Sequence, residues 1–167
     1  MQAHFSMLAG YNAWANRRLY DAAAALPDTD YRADRGAFFR SVHGTLNHLL
    51  VADRVWLQRF TGTGEAPDRL DTILFDDLPA LRAAREAEDA RIVAFVERLD
   101  SARLAGVIRY RRISTPDLME QALMPALAHF FNHQTHHRGQ AHALITGLRG
   151  ARPEIVLDLL AYQRSAA

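Results

Sequence analysis

Apolar side chains recur at intervals of three and four along four stretches of the chain, the spacing that places residues on one face of an α-helix. In the first stretch the shared face comprises Phe5, Leu8, Asn12, Ala15, Leu19, Ala22 and Leu26. Pro27 and the polar run "DTDYRADRG" follow it, and proline is common just beyond the end of a helix. The pattern therefore predicts a first helix that ends before a polar connection.

Two further helices have recognisable start signals. The second is predicted to begin at Ser41, a residue favoured at N-caps, and to stop at Gly62. Its apolar face comprises Val42, Leu46, Leu49, Asp53, Trp56 and Phe60. The third is predicted from about Leu78 to Leu99, with Asp77 as its N-cap. Its face comprises Leu81, Ala84, Glu88, Ile92, Phe95 and Leu99.

The fourth helix is predicted from near Pro125 to Leu148, with Gly150 just beyond its end. Four amphipathic helices of this length are typical of an all-α fold, a four-helix bundle, in one domain covering residues 1–167. Residues 106–123 carry β-favouring side chains around a Thr-Pro-Asp turn signal, which predicts a small hairpin or an irregular crossover. Residues 152–165 predict a short C-terminal helix that packs through Ile155, Leu159 and Tyr162.

Composition narrows the function classes. Of the 167 residues, 49% are hydrophobic, which is typical of a folded chain. Twenty Lys and Arg residues against 19 Asp and Glu residues give a net charge of +1, so binding to nucleic acid or to a membrane surface is not expected. The chain has no signal-peptide pattern and no apolar run near the ~20 residues that cross a bilayer, so a cytoplasmic protein is expected. Because there is no cysteine, any transition-metal site must use histidines and carboxylates.

Five of the eight histidines lie in the stretch "HFFNHQTHHRGQAH", residues 129–142. His133 and His137 are four residues apart and share a helix face, so their imidazoles can bind one metal ion. A pair of this kind is a weak motif by itself, since clustered histidines also occur as solvated or core residues. A third ligand has to come from another helix, where His43, His48 and His4 are the candidates.

Several polar residues on the apolar faces have two interpretations. Asp53 is a candidate supporting carboxylate, but it can equally be a buried carboxylate paired with an arginine. Asn12 and Glu88 also have a purely structural interpretation, as polar residues on an apolar face that define the helix register. Three polar residues next to the histidine pair are candidates for orienting ligands or substrate: Gln134, Arg138 and Gln140.

Three stretches together resemble the DinB/YfiT-like metalloenzyme family: "YNAWANRRLY" (11–20), "SVHGTLNHLLVADRVWLQRFTG" (41–62) and "HFFNHQTHHRGQAHALIT" (129–146). The resemblance implies a four-helix bundle, usually dimeric, with a metal near one end. It implies that the metal ligands are the histidine of "LNHLL" and the two of "NHQTHH", here His48, His133 and His137. It leaves the roles of His43, His129, His136 and His142 open. This family is unrelated to the translesion polymerase that shares its name.

Family members include S-transferases that use low-molecular-weight thiols and proteins assigned as hydrolases. The resemblance therefore implies a homodimer that uses a divalent metal to activate a thiol or a water for attack on a small-molecule substrate. Zinc or nickel is expected, while iron, cobalt and copper are also compatible with three histidines. The alternative is a stress-related dimer that binds metal without catalysing a reaction. The sequence does not choose between thiol and water.

Overall fold

The computed structural model describes residues 1–113, 115, 117–149 and 155–165. These residues form a mostly helical fold with one small two-stranded sheet. In chain order the elements are α1 (Gln2–Ala24), α2 (Asp28–Arg32), α3 (Val42–Thr61), α4 (Leu78–Glu97), α5 (Ser101–Leu104), β1 (Val107–Arg111), β2 (Leu118–Ala122), α6 (Leu123–Arg149) and α7 (Leu159–Ser165). The predicted all-α class is therefore broadly confirmed, and the four long helices lie where the periodicity predicts them.

The caps of α3 and α4 are those expected from the sequence. The Ser41 hydroxyl accepts a hydrogen bond from the backbone N–H of Gly44, and the Asp77 carboxylate accepts one from Ala80. Gly62 ends α3 in the left-handed conformation, with φ of 71°, where a residue with a Cβ is disfavoured. The polar connection predicted after Pro27 contains the short helix α2.

Two apolar clusters form the core. α1 packs against α4 and α6, and α3 packs against the same two helices. One cluster includes Phe5, Leu57, Phe60, Ile92, Phe95 and Phe130. The other includes Leu19, Leu46, Leu50, Leu81, Ala141 and Ile145. Between the two clusters, each of the four long helices contributes buried polar side chains, which form a polar layer between the apolar halves of the core.

The polar layer links all four long helices by hydrogen bonds and ion pairs. Its buried members are Asn12 and Asn16 on α1, Asp53 on α3, Arg85 and Asp89 on α4, and Gln134 and Arg138 on α6. The Arg85 guanidinium lies 2.6 Å from a carboxylate oxygen of Asp53 and 3.0 Å from one of Asp89. Buried charges are costly unless they are paired, so these contacts constrain how the helices are rotated relative to one another.

Of the two alternatives predicted between the third and fourth long helices, a small hairpin and an irregular crossover, the structure shows the hairpin. β1 and β2 are antiparallel, with Val107 opposite Ala122 and Arg111 opposite Leu118. Pro116 of the predicted turn is outside the described residues. α6 begins directly after β2, two residues before the predicted start at Pro125, and the Leu123 N–H donates to the carbonyl of Gly106. The hairpin therefore leads straight into the histidine-bearing helix.

The predicted short C-terminal helix is present as α7, which begins after Ile155 and packs on α1. The Tyr162 ring lies 6.0 Å from the Tyr11 ring and 5.8 Å from the Trp14 ring, measured between centroids. Gly10 permits this approach, because a Cβ at that position would collide with the Tyr162 hydroxyl. In the described part of the chain, no helix is long and apolar enough to span a membrane.

Candidate metal centre

Three histidines from two helices converge beside the polar layer. His48 comes from α3, and His133 and His137 come from successive turns of α6. Each offers one ring nitrogen, and these three atoms all lie within 4.8 Å of one another. The His48 ring centroid lies 4.5 Å from that of His137 and 5.4 Å from that of His133, and the latter two lie 4.3 Å apart. The three histidines can therefore hold one metal ion.

A backbone carbonyl defines the tautomer of His48. Its Nδ1 lies 2.8 Å from the carbonyl oxygen of Leu70, which can only accept, so Nδ1 carries the proton. Nε2 then has a free lone pair, and it is buried without a hydrogen-bond partner in the described structure. A buried nitrogen without a partner is costly, and a cation beside it would remove that cost. His48 thus fits the role of a metal ligand whose other nitrogen is held by the protein.

The side chain of Gln140 holds His137 in the same manner. The amide oxygen of Gln140 lies 2.8 Å from His137 Nδ1, and its amide nitrogen lies 3.2 Å from Nε2 of His136. His137 therefore carries its proton on Nδ1, and its Nε2 has a free lone pair. His136 belongs to this hydrogen-bonded chain but is not one of the three converging histidines.

An aromatic ring covers one side of the centre. Phe39, from the loop before α3, stacks on His48 at 3.7 Å between centroids with the planes 16° apart. The same ring meets His137 edge to face at 5.5 Å. Phe39 therefore restricts the rotation of two candidate ligands and shields them from water on that side.

The environment favours neutral imidazoles, which is the form that binds metal. Burial, opposed by the hydrogen bond to Leu70, lowers the pKa of His48 to about 4. Burial and the neighbouring His137 and His48 rings lower the pKa of His133 to about 3. Burial also lowers the pKa of His137. All three side chains are therefore uncharged at neutral pH and do not repel a cation.

The polar layer determines the rotation of α6. Arg138 is buried, and its guanidinium donates to the side-chain oxygen of Asn12 on α1. Gln134, one turn earlier, is also buried. His133 and His137 each precede one of these residues, so they are turned by about 100° from the buried face. With Arg138 directed at α1, the two histidines lie beside His48 of α3.

Asp53 lies in the polar layer and is not part of the three-histidine group. Of the two interpretations that the sequence allows, the structure shows the buried carboxylate paired with an arginine, Arg85. Burial, opposed by the Arg85 cation, raises the pKa of Asp53 to about 6. Asn12 donates to Asp89, and Glu88 pairs with Arg91. A catalytic role for Asp53 stays a prediction.

Two of the other histidines have definite neighbours. Nε2 of His43 lies 3.1 Å from the carbonyl oxygen of Phe75, to which it can donate a hydrogen bond. The His129 ring lies 5.0 Å from the Trp56 ring and 5.8 Å from the His133 ring, between centroids. Neither belongs to the group that can hold a metal.

The sequence reasoning missed two residues of the centre. The contribution of Leu70 is a backbone carbonyl, so no side-chain pattern could have indicated it. Phe39 lies two residues before the N-cap Ser41, and this closeness to the second helix is the only feature of the sequence that could have indicated its contact with the histidines.

A cavity of about 580 Å³ adjoins the centre at His133. It lies between α3, α6 and the hairpin, and Trp56, Tyr110 and His129 contribute to its lining. Small-molecule sites are commonly cavities of this size lined by aromatic side chains. A molecule in this cavity would therefore have direct access to one of the candidate metal ligands.

Comparisons with known proteins find similarity over most of the chain. The chain is 24% identical over 147 residues to Protein DinB of Bacillus subtilis (strain 168), an alignment that covers 81% of this chain and 80% of that protein. No solved structure matches the chain significantly. The sequence model of the DinB family matches residues 1–166, nearly the full length, and on that match the chain belongs to the DinB family.

Proposed function

We propose that His48, His133 and His137 bind one divalent metal ion and that the protein is a metal-dependent enzyme which activates a thiol or a water. The observation that carries the metal site is the convergence of three ring nitrogens within 4.8 Å, with two of the rings already held through Nδ1. Three protein ligands are typical of catalytic sites, which keep a position for substrate, whereas structural zinc sites use four.

Residues around the three histidines orient the rings and limit the access of water before any metal binds. Leu70 and Gln140 hold two rings in the tautomer that presents Nε2, so little ordering is required when metal binds. Phe39 excludes water from one side, and the cavity at His133 admits a small molecule from the other. When bound, a divalent ion lowers the pKa of a coordinated water or thiol and so supplies a nucleophile at neutral pH.

The quaternary and tertiary arrangement is part of the proposal. We propose that α1, α3, α4 and α6 form a four-helix bundle, which is supported by the contacts of α1 and α3 with both α4 and α6. We propose further that two copies associate through the apolar groove between the beginnings of α1 and α6. Phe5, Leu8, Met124 and Phe131 line this groove.

A metal titration of three proteins tests the site. Purified protein is stripped with a chelator and titrated with Co²⁺, whose visible absorption reports the ligand field. We expect one equivalent to bind the parent, and His137→Ala to weaken binding by more than about a hundredfold, since losing even the partner of a ligand costs 10–100-fold. His136→Ala is the matched control, because it changes the adjacent histidine and removes none of the three converging rings. Equal losses in the two variants would contradict the assignment.

Activity separates the enzyme from a protein that only binds metal. The zinc- and nickel-loaded proteins are incubated with a low-molecular-weight thiol and an electrophile such as an aromatic halide, and with ester substrates for the hydrolytic reaction. Turnover that depends on added metal and disappears in His137→Ala supports the enzyme. Tight metal binding without turnover across both substrate sets would favour the non-catalytic alternative.

A further inference from the structure

The cavity beside His133 has two arginines in its lining, Arg59 from α3 and Arg112 from the end of the hairpin. Its lining in the described part of the chain contains no aspartate or glutamate. Neither arginine has a carboxylate within ion-pair distance among the described residues. By contrast, Arg109 on the same hairpin pairs with Glu120 at 2.6 Å. The cavity therefore carries positive charge that no carboxylate of the described residues pairs with.

Aromatic rings position one of the two cations. The Arg59 guanidinium carbon lies 4.7 Å from the Trp56 ring centroid and 4.3 Å from the Tyr110 ring centroid. These cation–π contacts hold the guanidinium but supply no acceptor for its N–H groups. Arg59 is half-buried, and burial together with the nearby Arg112 cation lowers its pKa. Arg59 and Arg112 are neighbouring cations to which the described residues offer no carboxylate, and an anion would stabilise this arrangement.

The chemistry of the lining defines what fits. Guanidinium groups recognise carboxylate and phosphate oxygens with paired hydrogen bonds. Trp56 and Tyr110, whose ring planes are 63° apart, provide apolar contacts beside the arginines, which suits an organic body rather than an inorganic ion alone. At about 580 Å³ the cavity has the size of a small-molecule site.

We propose that this cavity binds a small organic anion, with its carboxylate or phosphate at Arg59 and Arg112 and its body against Trp56 and Tyr110. The end of the molecule remote from the oxyanion then faces His133 and the metal centre. That the anion is a substrate rests on the proposed function, whereas its binding to the cavity does not. With the proposed function, the substrate of this protein is therefore a small organic anion.

Binding of three matched probes to chelator-treated protein tests the proposal. The probes are 2-naphthoate, 2-naphthyl phosphate and the uncharged 2-naphthamide, measured by calorimetry at low salt. Metal-free protein is used because an anion could otherwise bind the metal directly. We expect at least one of the two anions to bind about tenfold or more tightly than the amide, as charge-assisted hydrogen bonds require. The tighter of the two anions identifies the preferred oxyanion.

Three variants connect the preference to the two arginines. Arg112→Gln changes an exposed side chain, and we expect it to weaken anion binding about three- to tenfold while leaving the amide unchanged. Arg59→Gln should weaken it further, with circular dichroism confirming the fold. Arg109→Gln is the control, because it removes an arginine from the same hairpin outside the cavity lining. Added salt should reduce the preference for anions.

Two results would overturn the inference: amide binding as tight as that of both anions, or anion binding unchanged in Arg112→Gln. The Co²⁺ titration of the same preparations keeps the two hypotheses separate. Metal binding without a preference for anions overturns this inference alone. A preference for anions without metal binding overturns the proposed metal centre alone.

Discussion

Replacing Gln140 by alanine removes the hydrogen bond that holds His137 Nδ1, and we expect metal affinity to fall about tenfold. The bond is 2.8 Å long and half-buried. A neutral hydrogen bond of this kind contributes about 0.5–1.5 kcal/mol, and loss of the partner of a metal-binding histidine typically costs 10–100-fold in affinity. The lower end of that range applies here, because water can replace the amide oxygen of a partly exposed glutamine.

The measurement is a competition titration of zinc against a chromophoric chelator, with circular dichroism to confirm that the helices are intact. Gln140→Glu is the informative companion, because a carboxylate also accepts from Nδ1 and makes the histidine a stronger ligand. We therefore expect Gln140→Glu to bind at least as tightly as the parent. His136→Ala removes the other partner of the Gln140 amide and should change affinity little. If Gln140→Ala retained the parental affinity while His137→Ala lost it, the proposed orienting role would be refuted.

Three further predictions concern stability and association. Asp53→Asn should lower the free energy of unfolding, measured in urea, by about 3 kcal/mol, because it leaves Arg85 with one carboxylate fewer in the polar layer. A loss of metal affinity at unchanged stability would instead indicate that Asp53 has a role at the metal. The pKa values of His48 and His133, about 4 and about 3, lie below the ordinary 6.5, so the unfolded chain takes up protons first. Metal-free protein should therefore lose stability as the pH falls from 6.5 towards 3, and a His48→Gln, His133→Gln variant should show a flatter dependence. Light scattering should report a dimer at micromolar concentration, and a monomer would contradict the association proposed at the α1–α6 groove.

Local patterns in the sequence were sufficient for much of the helical framework. The spacing of apolar residues by three and four locates the four long helices. The N-caps of α3 and α4 are indicated by Ser41 and Asp77, whose side chains accept a backbone hydrogen bond, and the end of α3 is indicated by Gly62, which tolerates a left-handed backbone. These features depend on residues within one turn of each other, so they can be read without knowing the fold. The i, i+4 spacing of His133 and His137 is of the same kind, and it holds in α6.

The sequence was less informative at helix boundaries. The periodic face of the first helix extended to Leu26, but α1 ends at Ala24. The fourth helix begins at Leu123 rather than near Pro125, because its first N–H bonds to Gly106 across the base of the hairpin. Such contacts join residues distant in the chain, and no local pattern specifies them.

The third histidine shows where tertiary structure was decisive. His48 is not on the apolar face that the spacing predicts for the second helix, yet its side chain is buried. Phe39 covers its ring and the Leu70 carbonyl binds its Nδ1, and both belong to loops whose paths are not encoded by periodicity. Family resemblance, rather than the residue pattern, had selected His48 over His43 and His4.

The convergence of side chains from separate elements was likewise decided only by the packing. Arg59 and Arg112 are 53 positions apart in the sequence, and they line one cavity because the hairpin folds back over α3. The buried Asp53, Arg85 and Arg138 determine how the helices are rotated, and with them which face of α6 meets α3. Amphipathic spacing determines that a helix buries one face. Which helix it meets, and at what rotation, depends on pairing the buried charges, and that requires all four helices at once.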